Sequence, residues 1–569
     1  MIQDILKDTI SEALQQIGIA DPEVELEHPA DLAHGDFSTN VAMRYAKEQG
    51  SSPRDIAEKV ISLIEESKPS FVNKVEIAGP GFINFFLARD FFAKSLEDIA
   101  AHAMDFGRSE VLEGKRVLVE YTDPNLFKEF HVGHIMNNTV GEAIANLFES
   151  QGASVVRANY QSDVGPPVAK AIWGMRQLAH KMPKDDAPLI EKVRFLGDSY
   201  VTGSAAYEEG SSKEEIDAIN THIYERDNDE LNELYKWGRT VSLNHFEEIY
   251  KKLGTRFDCY YFESQVFEDG LKLVEEGKEK GVFKESDGAI VYHGEEDGLH
   301  TRVFVNARGL PTYETKELGL TKQKFETETY EQSVVVTANE QTSYFQVVMA
   351  ALTKLYPEWV KRTKHIEHGM LQTPDGKMSS RKGNVIGGGT LIEDVEARAN
   401  EKIQETDRDL EDPDILATQE AVAAIKYAIL KQAPGKNVTF DMEQSLSLEG
   451  DSGPYLQYAH TRCYSILAKA KTEGIVASIE NPPAESYELE RVLYRFPEIV
   501  EKAFSDLSPQ YVTTYLTELA SMFNSFYGTE QIVNVDDEFS PYKLALTRAT
   551  QTVLANGLNV LGIEAPEQM

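Results

Sequence analysis

Two histidines three residues apart close the run Glu120-Tyr-Thr-Asp-Pro-Asn125-Leu-Phe-Lys128-Glu-Phe-His131-Val-Gly133-His134. The stretch from Val117 to Tyr121 predicts a short buried strand, Pro124 a polar turn, and the residues beyond it a helix beginning near His131. Residues three apart share one face of a helix's first turn. That turn exposes unpaired N–H groups and a partial positive charge, which suits a phosphate. Gly133 leaves room for a flat ligand against the backbone. The chemistry that fits is ATP binding, with imidazole N–H groups aimed at charge developing on a pentavalent α-phosphate. His-x-x-His is also the spacing of a metal pair, and His365-Ile-Glu-His368 repeats it.

A second candidate lies far along the chain, in Thr373-Pro-Asp-Gly376-Lys377-Met378-Ser379-Ser380-Arg381-Lys382-Gly383-Asn384. A Pro-Asp-Gly turn leads into a loop with three cations and two small hydroxyls. Such a loop can close over a triphosphate and supply charge as pyrophosphate leaves; read alone, it is equally a solvated basic turn. His-x-Gly-His after a strand, followed by Lys-Met-Ser-Ser-x-Lys, resembles the paired HIGH and KMSKS motifs of class I aminoacyl-tRNA synthetases.

Further segments narrow the resemblance to the arginyl-tRNA synthetase family, over nearly the whole chain. They are Asn159-Tyr-Gln-Ser-Asp163-Val-Gly165, Leu196-Gly-Asp-Ser-Tyr200-Val201, Tyr455-Leu-Gln-Tyr458-Ala-His-Thr-Arg462, the C-terminal run from Gly557 to Met569, and the N-terminal His34-Gly35-Asp36-Phe37-Ser38 and Gly79 to Phe85. The resemblance implies ATP-dependent ligation of L-arginine to the 3′ end of tRNA(Arg) through an arginyl-adenylate. His131, Gly133, His134, Met378 and Ser379 would then bind ATP, with Mg²⁺ held mainly by the substrate phosphates and no zinc or dedicated metal cage. Lys128, His131, His134, Lys377, Arg381 and Lys382 would be catalytic. Glu120, Asp123 and Asn125 would hold the amino and carboxyl ends of arginine, and Tyr313, Glu317 and Gln346 its guanidinium. Spacing agrees, since Tyr313 and Glu317 are four apart and share a helical face, although an ordinary exposed helix start has the same spacing. A guanidinium needs a carboxylate, ideally bidentate, and a group that fixes its plane. Phe82, Asn84, Tyr455, Tyr458, Arg462 and Met569 would contact tRNA; by spacing alone, Tyr455, Tyr458 and Arg462 are also a plain core stripe.

The chain departs from the family pattern in three places. Glu317 stands where Asp is usual, and Asp123 where Ser is usual, an acid that would favour an α-ammonium. Ser380 stands where KMSKS has its catalytic lysine, and the family often lacks that lysine and carries one just before the first motif, here Lys128. Lys128 is therefore expected to supply the missing charge at the α-phosphate.

The elements that must position these groups read as a multidomain α/β protein. A Rossmann-like parallel-sheet catalytic domain over 111–400 carries a helical insertion at about 168–285. An N-terminal α+β domain over 1–110 precedes it, and 401–569 holds a stem-contact region and an all-α anticodon-binding bundle. The order strand, helix (Val132–Ser150, closed by Gly152), strand (Ser154–Ala158) predicts a parallel βαβ unit, with Ala289–Tyr292, Val303–Val305 and Val334–Thr337 continuing the sheet. The first motif then falls at the carboxyl end of a strand, where open α/β sheets bind nucleotides.

With 569 residues the chain is too long for one core. Two cysteines, Cys259 and Cys463, exclude a disulfide scaffold or a four-cysteine zinc site. No apolar run is long enough to cross a membrane, and the N-terminus is an acidic amphipathic helix rather than a cationic signal, so a cytoplasmic soluble enzyme is expected; a monomer is a separate expectation that these features do not give. Against 94 Asp+Glu there are 57 Lys+Arg, a net charge of −37, where a nucleic-acid binder is usually basic. Phosphate contacts need only a local patch, and 361–382 carries net +4. The eight acids of 401–420 are expected to face solvent. Two alternatives remain at this stage: a synthetase for lysine or cysteine, and a tRNA- or adenylate-binding paralogue without catalysis.

Overall fold

Val117, Leu118 and Val119 are apolar without alternation, the pattern of a strand covered on both faces. In the computed structural model of the chain they form the middle of a five-stranded sheet. The structure describes residues 2–327, 329–372, 374, 387–405 and 412–569. The sheet comprises β1 (Arg116–Glu120), β2 (Ser154–Gln161), β3 (Cys259–Phe262), β4 (Gln332–Ala338) and β5 (Thr363–His368). Its order is β5-β4-β1-β2-β3, and every neighbouring pair is parallel. From β1 the chain builds outward through β2 to β3, then returns to the other side of β1 for β4. The order therefore reverses beside β1, and ligands of open α/β sheets bind at the carboxyl ends around that point.

The connection from β1 to β2 is the helix Val132–Ser150, as its apolar spacing predicts. Gly152, at φ +88°, donates its N–H to the Glu149 carbonyl at 3.0 Å and closes it. Helix and strand are in close contact at Gly141, where an added Cβ would lie 2.2 Å from Cβ of Tyr121. Gly141→Ala is thus expected to destabilise the protein by about 2–3 kcal/mol through overpacking. A lowered denaturation midpoint would show it; an unchanged midpoint would mean that the layers separate freely.

Two expected sheet strands lie elsewhere. Ala289–Tyr292 and Arg302–Val305 belong to a separate three-stranded antiparallel sheet with Lys284–Ser286. Asp287 (φ +50°) and Gly288 (φ +79°) make its two-residue hairpin turn, and Asp-Gly is the dipeptide such turns select. Local antiparallel pairing removed these strands from the parallel sheet. Their places at its edges are taken by β3, inside the range assigned to the insertion, and by the polar β5. Between β2 and β3 that range holds four α-helices, Pro166–Gln177, Leu189–Glu208, Lys213–Glu225 and Asp229–Leu253, and Glu263–Glu279 follows β3.

The chain divides into two compact units. One holds Gly107–Tyr458, Glu498–Thr517 and Gly557–Met569. The other joins Met1–Phe106 to Ala459–Pro497 and Glu518–Asn556. In the latter, a helix Ile2–Gln16 buries Leu6, Ile10 and Leu14 beside a three-stranded antiparallel sheet, whose core includes Tyr494. Arg89 pairs with the buried Glu490 at 2.8 Å and Arg491 with Asp36 at 2.7 Å. Of the acids in 401–420, Glu401, Glu405, Asp412 and Asp414 are exposed, but Glu420 is buried; 406–411 lie outside the described residues. No helix among the described residues is long and apolar enough to cross a membrane.

Candidate active site

The chain leaves β1 through a backbone few residues adopt. Thr122, Asp123 and Phe127 have φ of +80°, +44° and +61°. Left-handed non-glycine residues cost about 1–3 kcal/mol each and persist where surroundings over-determine them. Asn137 on the helix accepts the Thr122 N–H at 2.6 Å and donates to the Val336 carbonyl of β4 at 2.8 Å. Asn138 donates to the Thr122 hydroxyl at 3.0 Å, and Ser242 accepts the Phe127 N–H at 2.9 Å. The Tyr160 N–H donates to Asp123 Oδ1 at 2.8 Å. The turn is held from β2, β4 and two helices at once.

His131 is the N-cap of the helix, and its backbone N–H donates to Nδ1 of His134 at 3.2 Å. A neutral His134 that accepts at Nδ1 carries its proton on Nε2, so it offers an N–H donor onward. The two rings stack with centroids 3.6 Å apart. Burial, then the charge of Lys128, lowers the His131 pKa to about 4. His134 falls well below its ordinary value through burial, His131 and Lys128. Both imidazoles are neutral near pH 7, so they can donate hydrogen bonds to phosphate but bring no charge. An added Cβ on Gly133 would touch the His131 ring at 3.0 Å.

The residues just beyond the cationic loop lie against this turn. Gly387 pairs with His131 in an antiparallel bridge, and the Gly388 N–H donates to the Phe130 carbonyl at 2.5 Å. A side chain at Gly387 would meet Glu129 Oε1 at 2.0 Å. Lys377, Met378, Ser379, Ser380, Arg381 and Lys382 themselves lie outside the described residues.

Behind the turn is a cluster of buried charge. The helix Tyr313–Thr327 buries Glu317 and Lys324, while Tyr313 at its start is 49% exposed. Glu317 Oε2 accepts a long 3.5 Å bond from Tyr344, whereas its Oε1 is buried without a hydrogen-bond partner among the described residues. Desolvation raises Glu317 to about 7; Lys324 opposes this and Glu120 adds to it. Desolvation and then Glu120 likewise push Asp123 well up. A buried carboxylate with one vacant oxygen suits a guanidinium. Glu120 sits on the same side at the end of β1, and Asn125 pairs with Ser162 through the main chain. Gln346, by contrast, is exposed and makes no hydrogen bond to Tyr313 or Glu317 among the described residues.

Three residues beyond the expected set join this cluster: Lys324, Tyr160 and Tyr344. Lys324 follows Glu317 by seven residues, a same-face spacing that was available in the sequence. The buried Tyr160 hydroxyl lacks a partner among the described residues and feels both Glu263 and Glu317. Asp163 is fully buried and accepts from Tyr235, Arg239 and Ser264, an anchor between β2 and the insertion. The metal-pair reading of His365 and His368 does not fit. Three apart on β5 they point to opposite faces, His365 meeting Thr337 at 2.7 Å and His368 donating to the Gly369 carbonyl at 2.7 Å.

Among the expected tRNA contacts, Phe82 is exposed, while Asn84 is 2% exposed and accepts from Ser38 at 2.7 Å. Tyr455, Tyr458 and Arg462 share the helix Gly453–Thr472. Tyr455 is buried and the other two half-buried, with Arg462 over the Tyr527 ring at 5.0 Å. Met569 is buried.

Comparison with known proteins covers this frame from end to end. Family models match for the catalytic domain of class I (R) tRNA synthetases over 96–442, the DALR anticodon binding domain over 456–569, and the arginyl tRNA synthetase N-terminal domain over 2–87. Arginine--tRNA ligases of Clostridium acetobutylicum and Treponema denticola are 31% and 32% identical, over 99% and 100% of this chain and 100% and 99% of theirs. In fold, the chain is similar to the arginyl-tRNA synthetase structure of Thermus thermophilus (TM-score 0.80, 24% identity, all of both chains) and that of Plasmodium falciparum (TM-score 0.80, 20% identity, 100% and 99%). A family model over more than half of the chain and end-to-end relatives above 30% identity agree, and the chain belongs to the arginyl-tRNA synthetase family.

Proposed function

We infer that this chain ligates L-arginine to the 3′ end of tRNA(Arg) with ATP, by way of arginyl-adenylate, and that the residues grouped above divide the work. The observation that carries the division is the buried Glu317 Oε1, without a hydrogen-bond partner among the described residues and close to Glu120 and Asp123, which end β1 and begin the turn after it. Glu317 holds the guanidinium, with Tyr313 at the pocket mouth. Asp123 and Asn125 receive the other end of arginine, with Glu120 behind them; the exposed Gln346 would act only if arginine binding brings it inward.

The arginine carboxylate oxygen attacks the α-phosphorus in line, and the bond to the pyrophosphate oxygen breaks. The terminal adenosine hydroxyl of tRNA then attacks the adenylate carbonyl and AMP leaves. Catalysis is positioning and charge neutralisation. His131 and His134 donate to phosphate oxygens, Gly133 gives the nucleotide room, and Lys128 supplies the cation that neutral imidazoles cannot. Lys377, Met378, Ser379, Arg381 and Lys382 are assigned to ATP and the leaving pyrophosphate. Mg²⁺ enters on the nucleotide's own phosphates.

Residues 1–110, 111–400 and 401–569 divide between them D-loop contact, chemistry, and stem and anticodon contact. Phe82 is the exposed candidate in the first; the occupied Asn84 would shape the sheet beneath it. Tyr455, Tyr458, Arg462 and Met569 are the candidates in the last. A tRNA substrate supports the cytoplasm as its place, and a monomer is the proposed form.

Charging of total tRNA with each of the twenty labelled amino acids, with and without ATP, tests the reading. Arginine alone, and only with ATP, is expected. Another amino acid would overturn the pocket, and tRNA retention in a gel without any charging would mark a binding protein.

A further inference from the structure

Lys324 is a lysine in a place that disfavours one. Its ammonium is 2% exposed and lies 2.7 Å from Glu120 Oε2, itself 2% exposed. It projects from the same face of the same helix as Glu317, two turns on. Glu120 closes β1 and Asp123 follows it in the strained turn, so three elements aim carboxylates at one region. Tyr344 and Glu263 face Glu317 from neighbouring helices, with Glu263 already paired to Lys316 at 2.5 Å. The Cys259 thiol of β3 also feels Glu120 and Lys324.

Arginine brings two cations and a carboxylate of its own, and the pocket holds three acids, Glu120, Asp123 and Glu317. One acid is therefore surplus, and an uncompensated buried carboxylate is expensive. We propose that Lys324 is a positioning residue for arginine recognition: it occupies Glu120 as an internal counter-cation and so leaves Glu317 for the guanidinium and Asp123 for the α-ammonium. The proposal rests on the pocket reading given above. Burial works against the charge of Lys324, but Glu120 and Glu317 outweigh it and hold it protonated. In return its charge is the main influence that restrains the upward shift of Glu317.

Removing the charge while keeping the shape should therefore leave Glu317 protonated at neutral pH. Lys324→Met is expected to raise the arginine KM at least tenfold at pH 7, with the ATP KM unchanged and the penalty shrinking toward pH 9. Lys324→Arg, which keeps the cation, should stay within threefold of the parent at every pH. Lys324→Gln is the second neutral variant and carries the same expectation as Lys324→Met. Parental arginine KM and pH profile in either neutral variant would overturn the proposal. So would equal damage in Lys324→Arg, or a failure of both neutral variants to fold, which would mark a purely structural ion pair. Glu317→Gln, measured alongside, separates the two readings. If it keeps the parental arginine KM, the pocket assignment fails; if it loses arginine while Lys324→Met does not, only the role of Lys324 fails.

Discussion

Glu317→Gln is expected to raise the arginine KM by about 100-fold or more, with the ATP KM nearly unchanged. Truncating one partner of a buried charge pair costs about 2–5 kcal/mol, and each 1.4 kcal/mol is tenfold in binding. The variant is close to isosteric, and it removes one of several like charges around Glu120 and Asp123, so its thermal stability should match or exceed the parent's. Loss of arginine binding in a fully folded protein is thus the distinctive result. The pH dependence has a definite sign. Glu317 has its pKa raised to about 7 by burial, and a guanidinium binds its ionised form. The parental arginine KM should therefore fall as pH rises from 6 to 8, while the variant should be flat over that range. The stability effect runs the other way: a carboxyl whose folded pKa lies above the unfolded one loses its contribution as pH climbs from about 4.5 through 7. Isothermal titration with arginine at several pH values, together with steady-state kinetics, reads both. An unchanged arginine KM in the variant would exclude Glu317 from the guanidinium site.

The second large effect is on turnover. Lys128→Ala is expected to lower kcat for adenylate formation by about 100- to 1000-fold, or ~2.7–4 kcal/mol of transition-state stabilisation. Arginine affinity should change less than about twofold, since Lys128 sits with the histidines rather than among the carboxylates. The physical reason is the neutrality of His131 and His134: donors without charge leave the developing negative charge on phosphorus to a cation. Lys128 is close enough to depress both imidazoles, so it is close enough to serve whatever they bind. Its removal should also let His131 titrate nearer its ordinary value. Ser380→Lys in the Lys128→Ala background tests the exchange of roles directly, and recovery of turnover is the expected outcome. Full turnover in Lys128→Ala alone would refute the assignment.

Local chemistry was legible in the chain from the start. The Val132–Ser150 helix, its glycine stop, the histidine turn at its head and the Tyr313/Glu317 pair all depend on residues within one element, where spacing alone sets the face. The resemblance in motifs then carried the family, because it needs residue types in order and not their positions in space. Three things required the folded chain. Asp287-Gly288 was a readable hairpin signal, yet which sheet its strands join is decided by partners far away in sequence. The polar strand Thr363–His368 has only Ile366 and His368 buried, so no periodicity announced it as the sheet's edge. Above all, the value of each charge was a tertiary matter. Lys324, Glu120 and Asp123 come from a helix, a strand and a turn, and only their burial side by side turns three ordinary side chains into one charged cluster. Sequence determined which groups were present and which faces they took; desolvation, which exists only once distant elements close over them, decided which carboxyls are pushed up and which buried oxygens lack a hydrogen-bond partner among the described residues.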